Sequence, residues 1–135
     1  MSTTTFIISA ERGEYSPPLN QARTRRLDFM LRGAGIATVP VMGSYAGVPE
    51  ASLMVPPNEF AAGDMRGLLL RAAENWEQDS VLELNKDGDA WLVFTRGRPD
   101  EYLGKLVISA TLPAGVSAFT RLPDGRFIYT KKETL

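Results

Sequence analysis

The stretch AAGDMRGLLLRAAENWEQDSVLELNKDGDAWLVF, Ala61 to Phe94, decides the fold class, because its hydrophobic period changes halfway. Ala61, Met65, Leu68, Leu69, Ala72, Ala73 and Trp76 recur at the spacing of a helix, about 3.6 residues. Asp64, Arg66, Arg71, Glu74 and Asn75 fall elsewhere on the wheel. Gly63 and Gly67 weaken the first turns by about 1 kcal/mol each relative to Ala. From Ser80 the pattern becomes that of strands. Ser80–Leu84 and Ala90–Phe94 flank Lys86-Asp87-Gly88-Asp89, and Asp-Gly between two apolar runs is a hairpin turn.

Working outward towards the N-terminus, Thr5–Ala10 is β-rich and reads as a buried first strand. Ser16-Pro17-Pro18 is a helix start. That helix should run to about Leu31 and stop near Gly33 or Gly35. Its apolar positions are Leu19, Ala22, Leu27, Met30 and Leu31, with Arg23, Arg25, Arg26 and Arg32 read as a solvated face. Ile36–Tyr45 reads as a second strand, in which Pro40 suggests an edge or a bulge. Gly43–Pro49 reads as a loop and Ala51–Val55 as a third strand, with Asn58 a candidate helix cap. Towards the C-terminus, Arg96–Leu103 reads as a polar loop and Leu106–Ser109 as a short strand. Ala118–Thr120 and Phe127–Thr130 flank the hairpin signal Asp124-Gly125, and Lys131–Leu135 is expected to fray. The order β-α-β-β-α-β-β with a β-rich C-terminal extension predicts one α+β domain over residues 1–135. The expected form is a ferredoxin-like or PII-like sandwich, with two helices on one face of a largely antiparallel sheet. Such a sheet has two edges to hide, which a symmetric oligomer would do.

The 135 residues include no Cys and no His. These zeros exclude disulfides, Cys/His zinc sites, Cys–His pairs and Ser–His–Asp triads. Catalysis must use carboxylates, Tyr, Lys, backbone dipoles or the substrate itself. A formal net charge of −1 argues against a nucleic-acid partner. No apolar run reaches the roughly 20 residues of a membrane span, and the N-terminus has no secretory pattern. The expected location is the cytoplasm. No phosphate-binding glycine motif occurs. Asp87-Gly88-Asp89 lacks the remaining ligands of a calcium loop. Gly43–Glu50 offers a phenol, Tyr45, and a carboxylate, Glu50, that could position a polar ligand; the plainer alternative is a surface turn with a half-buried Tyr. Arg12 lies just past the first strand, where loops carry function. The acids of Trp76-Glu77-Gln78-Asp79 oppose the dipole at a helix C-terminus, which hints at another role for Glu77 or Asp79.

Resemblance extends this. Glu74–Leu82, with its Trp-Glu-Gln-Asp turn, and Trp91–Gly97 resemble the bacteriophage S-adenosylmethionine (SAM) lyases, long called SAM hydrolases. Phe6-Ile7-Ile8-Ser9-Ala10 followed by Arg12 is similar to their first strand, and Asn20 and Arg23 to the start of their first helix. Gly43, Tyr45 and Glu50 also match in order. The resemblance runs from about Thr5 to Gly97. It implies a PII-like subunit in a homotrimer, with substrate between subunits. It implies cleavage of SAM to 5′-methylthioadenosine and L-homoserine lactone, with no metal and no cofactor. Tyr45 and Glu50 would be the catalytic pair, with Ser9 and Arg12 binding substrate. A phage-encoded member would work in the host cytoplasm, depleting a methyl donor to evade restriction. The zeros in His and Cys suit a reaction whose nucleophile and leaving group both belong to the substrate. The competing readings are a non-catalytic PII-like module binding an adenine-containing ligand at subunit clefts, and a protein that blocks a host enzyme by contact.

Overall fold

The computed structural model describes residues 3–131. Its elements are β1 (Thr5–Ser9), α1 (Pro17–Gly33), β2 (Val39–Tyr45), β3 (Val48–Val55), α2 (Ala62–Asn75), β4 (Ser80–Leu84), β5 (Asp89–Phe94), β6 (Glu101–Ser109), β7 (Ala118–Arg121) and β8 (Phe127–Lys131). All strand pairs are antiparallel. The order β1-β3-β2-β7-β8-β6-β5-β4 closes on itself, because β1 pairs with β3 on one side and β4 on the other.

The ferredoxin-like or PII-like sandwich expected from the sequence is therefore incorrect: the sheet is an eight-stranded barrel. The residues after Gly97 cause the difference. β6 begins at Glu101 rather than Leu106 and pairs with β5, β8 pairs with β6, and β7 pairs with β2. What looked like an extension supplies the strands that use up both open edges, and closure removes the edges an oligomer would otherwise have to hide. Pro40 lies in the part of β2 that pairs with β3 alone, since β7 reaches only Met42–Tyr45.

Two cores result. Outside the barrel, Phe6 and Ile8 of β1, Leu53 and Val55 of β3, and Val81 of β4 pack against Leu27 and Leu31 of α1 and Met65 and Leu69 of α2. Inside it, Ile7, Val41, Leu84, Ala90 and Ile128 form a second cluster. The expected side of α2 is the buried one, although its N-cap is Ala61 with no side-chain cap; Asn58 instead accepts from the Phe60 N–H. On α1 the buried stripe is narrower than expected. Leu27 and Leu31 are buried, whereas Leu19 and Met30 are about half exposed. Ser16 caps α1 through its hydroxyl, as expected. The tail expected to fray lies, beyond Lys131, outside the described residues. No helix among the described residues is long and apolar enough to cross a membrane.

Leu27 is completely buried where α1 meets the barrel. Leu27→Ala should cost about 2–5 kcal/mol in unfolding free energy, read from urea denaturation.

Candidate active site

The segment read as the loop Gly43–Pro49 is a tight hairpin. Tyr45 pairs with Val48 and Gly43 with Glu50, so two residues, Ala46 and Gly47, make the whole turn. Both have positive φ, 50° and 82°, the backbone of a type I′ turn. Because side chains alternate along strands, Gly43, Tyr45, Val48 and Glu50 share one face. Tyr45 and Glu50 are diagonal neighbours there. Ser9 and Ser52 sit directly opposite each other on the same face. Three of the four expected site residues, Ser9, Tyr45 and Glu50, are thus brought together.

That face lines a cavity of about 700 Å³ opening at one end of the barrel. The volume lies within the range of about 300–1,000 Å³ typical of small-molecule sites. Its depth is apolar, with Ile7, Leu82, Leu84, Leu92, Leu106 and Ile128. An eight-stranded barrel is wide enough to be filled by side chains or to hold one small ligand. The rim is polar: Ser9, Tyr45, Glu50 and Ser52 on one side, Asp79, Ser80 and Arg98 on the other. Glu50, Asp79 and Arg98 are its charged residues, two carboxylates against one guanidinium.

Glu50 is exposed at the rim, yet the protein around it displaces enough water to raise its carboxyl above the ordinary value. Desolvation is the main cause. Hydrogen bonding to Ser9 opposes it, and the charge of Glu11 adds to it. Ser9 is itself held in place, donating to the Ala51 carbonyl at 3.1 Å and accepting the Glu11 N–H at 3.1 Å. Glu11 accepts the Ala51 N–H at 3.0 Å.

Arg12, the fourth expected residue, is not on the cavity wall. Its guanidinium bonds Glu14 and the Glu77 carbonyl. It belongs to a clamp on the Trp76–Asp79 turn. Arg23 donates to the Ala10 carbonyl at 2.7 Å and the Trp76 carbonyl at 2.6 Å, while lying over the rings of Tyr15 and Trp76. Arg23 and Tyr15 both donate to the Glu77 carboxylate. Gln78 donates to the Glu11 carbonyl at 2.8 Å, and Asn20 grips the Arg12 backbone through N–H and carbonyl. Glu77 has φ of 59°, a left-handed conformation uncommon for its type, and this network holds it there. The unfavourable acid at the helix end is thus answered by two arginines.

Arg23 was expected on a solvated face. It shares the i, i+4, i+8 stripe with Leu27 and Leu31, so it points inward and its side chain is only 12% exposed. Beyond the turn, the Thr95 N–H donates to the Asp79 carbonyl at 2.9 Å and its hydroxyl to the Gln78 carbonyl at 3.2 Å. The Trp-Glu-Gln-Asp turn and the end of the β5 strand are therefore one structural unit at the barrel mouth. Arg98 was missed because it sits in a segment read only as a polar loop. Asp79 carried a signal, its cost against the helix dipole; Ser52 and Ser80 carried none.

Two outcomes follow. Arg23→Ala leaves two carbonyls without their charged donor and should cost about 2–3 kcal/mol in urea unfolding. Arg23→Lys should recover only part, because an ammonium lacks the planar fork that meets both acceptors. For Glu50 the sign runs the other way. A raised folded pKa means the protonated form is the better accommodated. That stability is fully present below the ordinary value of 4.5 and is lost as pH rises through the folded pKa. Glu50→Gln should therefore raise the urea midpoint at neutral pH and converge with wild type below that ordinary value. A midpoint lowered at neutral pH would contradict this assignment.

No curated protein matches the chain in sequence. The sequence model of the S-Adenosylmethionine lyase family matches residues 6–131. The match starts in β1 and ends in β8, well beyond Gly97, so it takes in every strand of the barrel. The resemblance seen in the Trp-Glu-Gln-Asp turn, the first strand and the Tyr45–Glu50 hairpin agrees with it, and the chain belongs to the S-adenosylmethionine lyase family.

Proposed function

We propose that this protein degrades SAM to 5′-methylthioadenosine and L-homoserine lactone by attack of the substrate's own carboxylate. The observation that carries the proposal is the cavity. It has an apolar interior, a polar rim holding Tyr45, Glu50 and Ser9, and two carboxylates against one guanidinium. SAM carries two cationic groups, sulfonium and ammonium, and one carboxylate. The charge counts are complementary.

In the step, a carboxylate oxygen forms a bond to Cγ and the Cγ–S bond breaks. Its electron pair goes to sulfur, giving a neutral thioether and a lactone that keeps the α-ammonium. Nucleophile and leaving group are already tethered, so the protein mainly supplies conformation. The reacting sulfonium and carboxylate lose their charges together, which the apolar interior favours over bulk water. A carboxylate against the sulfonium would stabilise the ground state more than the transition state and slow the reaction. Glu50 therefore orients the substrate through a sugar hydroxyl rather than touching sulfur. Tyr45 lines the methionine moiety and helps set its folded conformer. Ser9 fixes Glu50. Arg12 acts indirectly, through the carbonyl of Glu77 and the turn that carries Asp79.

The homotrimer implied by the family resemblance belongs to this proposal. At the hairpin tip Tyr45 is 75% and Val48 65% exposed, surface that a neighbouring subunit would cover. So do the cytoplasmic location and the phage anti-restriction role. One observation favours a second chemistry: the raised Glu50 carboxyl would serve as a base for an attacking water, which is hydrolysis.

Purified protein incubated with SAM in oxygen-18 water separates these. Methylthioadenosine should form, with no label entering the homoserine product during that step. Label entering as methylthioadenosine forms, rather than through later ring opening, would establish hydrolysis. Binding of SAM in a calorimeter without turnover would favour a non-catalytic module. Glu50→Gln should keep the fold and lose turnover by about a hundredfold, the scale of lost positioning. Full activity would remove Glu50 from the site.

A further inference from the structure

We propose that Arg98 recognises the α-carboxylate of the substrate, and so selects an amino-acid-bearing sulfonium nucleoside over the nucleoside alone. This rests on the reaction proposed above.

Three observations carry it. Arg98 is the one cationic side chain among the residues lining the cavity. Its guanidinium lies 4.1 Å from the centroid of the Phe94 ring, and it has no acidic partner among the described residues. Stacking on a ring fixes the guanidinium plane and leaves its N–H edge free, the geometry with which Arg meets a carboxylate. Arg12, Arg23, Arg32, Arg66 and Arg126 are each paired with an acid, and the other arginines without an acid among the described residues, Arg25, Arg26, Arg71, Arg96 and Arg121, do not line the cavity.

The third observation is position. β2 and β5 are four places apart in a ring of eight strands, so they face each other across the barrel. Tyr45 ends β2, and Phe94 ends β5 at the same mouth, where its neighbour on β4 is Ser80. The Arg98–Phe94 pair therefore stands opposite the Tyr45–Glu50 face. The chain turns at Gly97, with φ of 74°, and Pro99 restricts the backbone of Arg98 to extended conformations. A zwitterion laid across this mouth meets a cation on one side and carboxylates, Glu50 and Asp79, at other points of the rim.

The chemistry dictates a particular kinetic signature. The carboxylate is charged in the bound substrate and loses its charge as the ring closes. A guanidinium on it strengthens ground-state binding at least as much as the transition state. Removing Arg98 should therefore weaken binding without slowing the bound substrate.

The test follows methylthioadenosine release from SAM by wild type, Arg98→Gln and Arg98→Lys, with added methylthioadenosine as inhibitor. Circular dichroism confirms that each variant is folded. Arg98→Gln should raise KM about tenfold, the scale of one charge-assisted hydrogen bond. Its kcat should stay within about twofold of wild type. Arg98→Lys should show a smaller rise in KM. Inhibition by methylthioadenosine, which has no carboxylate, should be unchanged in both variants. An unchanged KM in Arg98→Gln would overturn the proposal. So would a parallel loss of methylthioadenosine inhibition, which would make Arg98 a stacking surface for the base. Failure of the wild type to cleave or bind SAM is a different result, overturning the reaction assigned to the site and this inference with it.

Discussion

The structure depends on β1 being buried on both faces. Phe6 and Ile8 point outward under α1 and α2, while Ile7 points into the barrel and is joined there by Ser9 at the rim. One five-residue strand thus belongs to both cores. It is also the strand whose two hydrogen-bonded edges, to β3 and β4, close the ring. Alternation of side chains then determines what each neighbour shows the interior. Once Ser9 faces Ser52, Glu50 must share that face, and through Gly43 so must Tyr45. A one-residue slip of β1 against β3 would turn Ile7 and Ser9 outward and drive Phe6 and Ile8 into the barrel.

A second constraint couples the helices to the mouth. α2 delivers the chain to β4 through a turn with a left-handed Glu77, and α1 presents Asn20 and Arg23 to hold it. These side chains occupy the N-terminal half of the inward face of α1, while Leu27 and Leu31 occupy the other half. The helix therefore spends half of its buried stripe on polar grip rather than apolar packing. Groups so buried are tolerable only when fully hydrogen-bonded, and Arg23 meets two carbonyls and a carboxylate. Thr95 ties the same turn to the end of β5. Distortion of this clamp would reach Asp79 and Arg98 without either being touched, because both are carried by the segments it joins.

The parts of this architecture legible in the sequence are those held by local pattern. The period of α2, the Ser16-Pro17-Pro18 start of α1, the β4–β5 hairpin and the apolar β1 all follow from residues within one element. Closure does not. The pairing of Tyr45 with Ala118 joins residues far apart in the chain, and no periodicity encodes which edge meets which. The β2–β3 turn was hidden for a different reason. A type I′ turn usually advertises itself with Asn-Gly or Asp-Gly, and here the pair is Ala46-Gly47, which spreads the apparent loop over Pro49. Arg23 was hidden because charge on a helix is normally solvated, and only the tertiary position of the Trp76–Asp79 turn makes an inward arginine useful. The candidate site shows the same division. Tyr45 and Glu50 stood out as a phenol and a carboxylate in one short segment, but their catalytic role, and Ser9 beside them, came through family resemblance. Arg98 lay beyond its edge, and its alignment on Phe94 exists only in three dimensions.

The absence of His and Cys imposes a charge economy on whatever this cavity does. With no group of ordinary pKa near neutrality, proton transfer at neutral pH falls to carboxyls moved from their usual range, and Glu50 is moved upward. Ring closure within SAM needs no such transfer, since a carboxylate is already nucleophilic and a sulfonium already a leaving group. What it needs is a folded substrate in a medium less polar than water, with the remaining ammonium still balanced. An apolar barrel supplies the medium. In the reaction proposed above, a rim with two carboxylates and one guanidinium would balance the ammonium and sulfonium as the substrate enters. Placing all three charges at the mouth rather than in the depth keeps them hydrated enough to be affordable. It also keeps them from competing with the two charges that must annihilate. The division between charged rim and apolar interior suits the proposed ring closure: alternation along the strands lays Ile7, Leu82 and Leu84 inside and Glu50 at the mouth, while the connections before β4 and after β5 bring Asp79 and Arg98 to it.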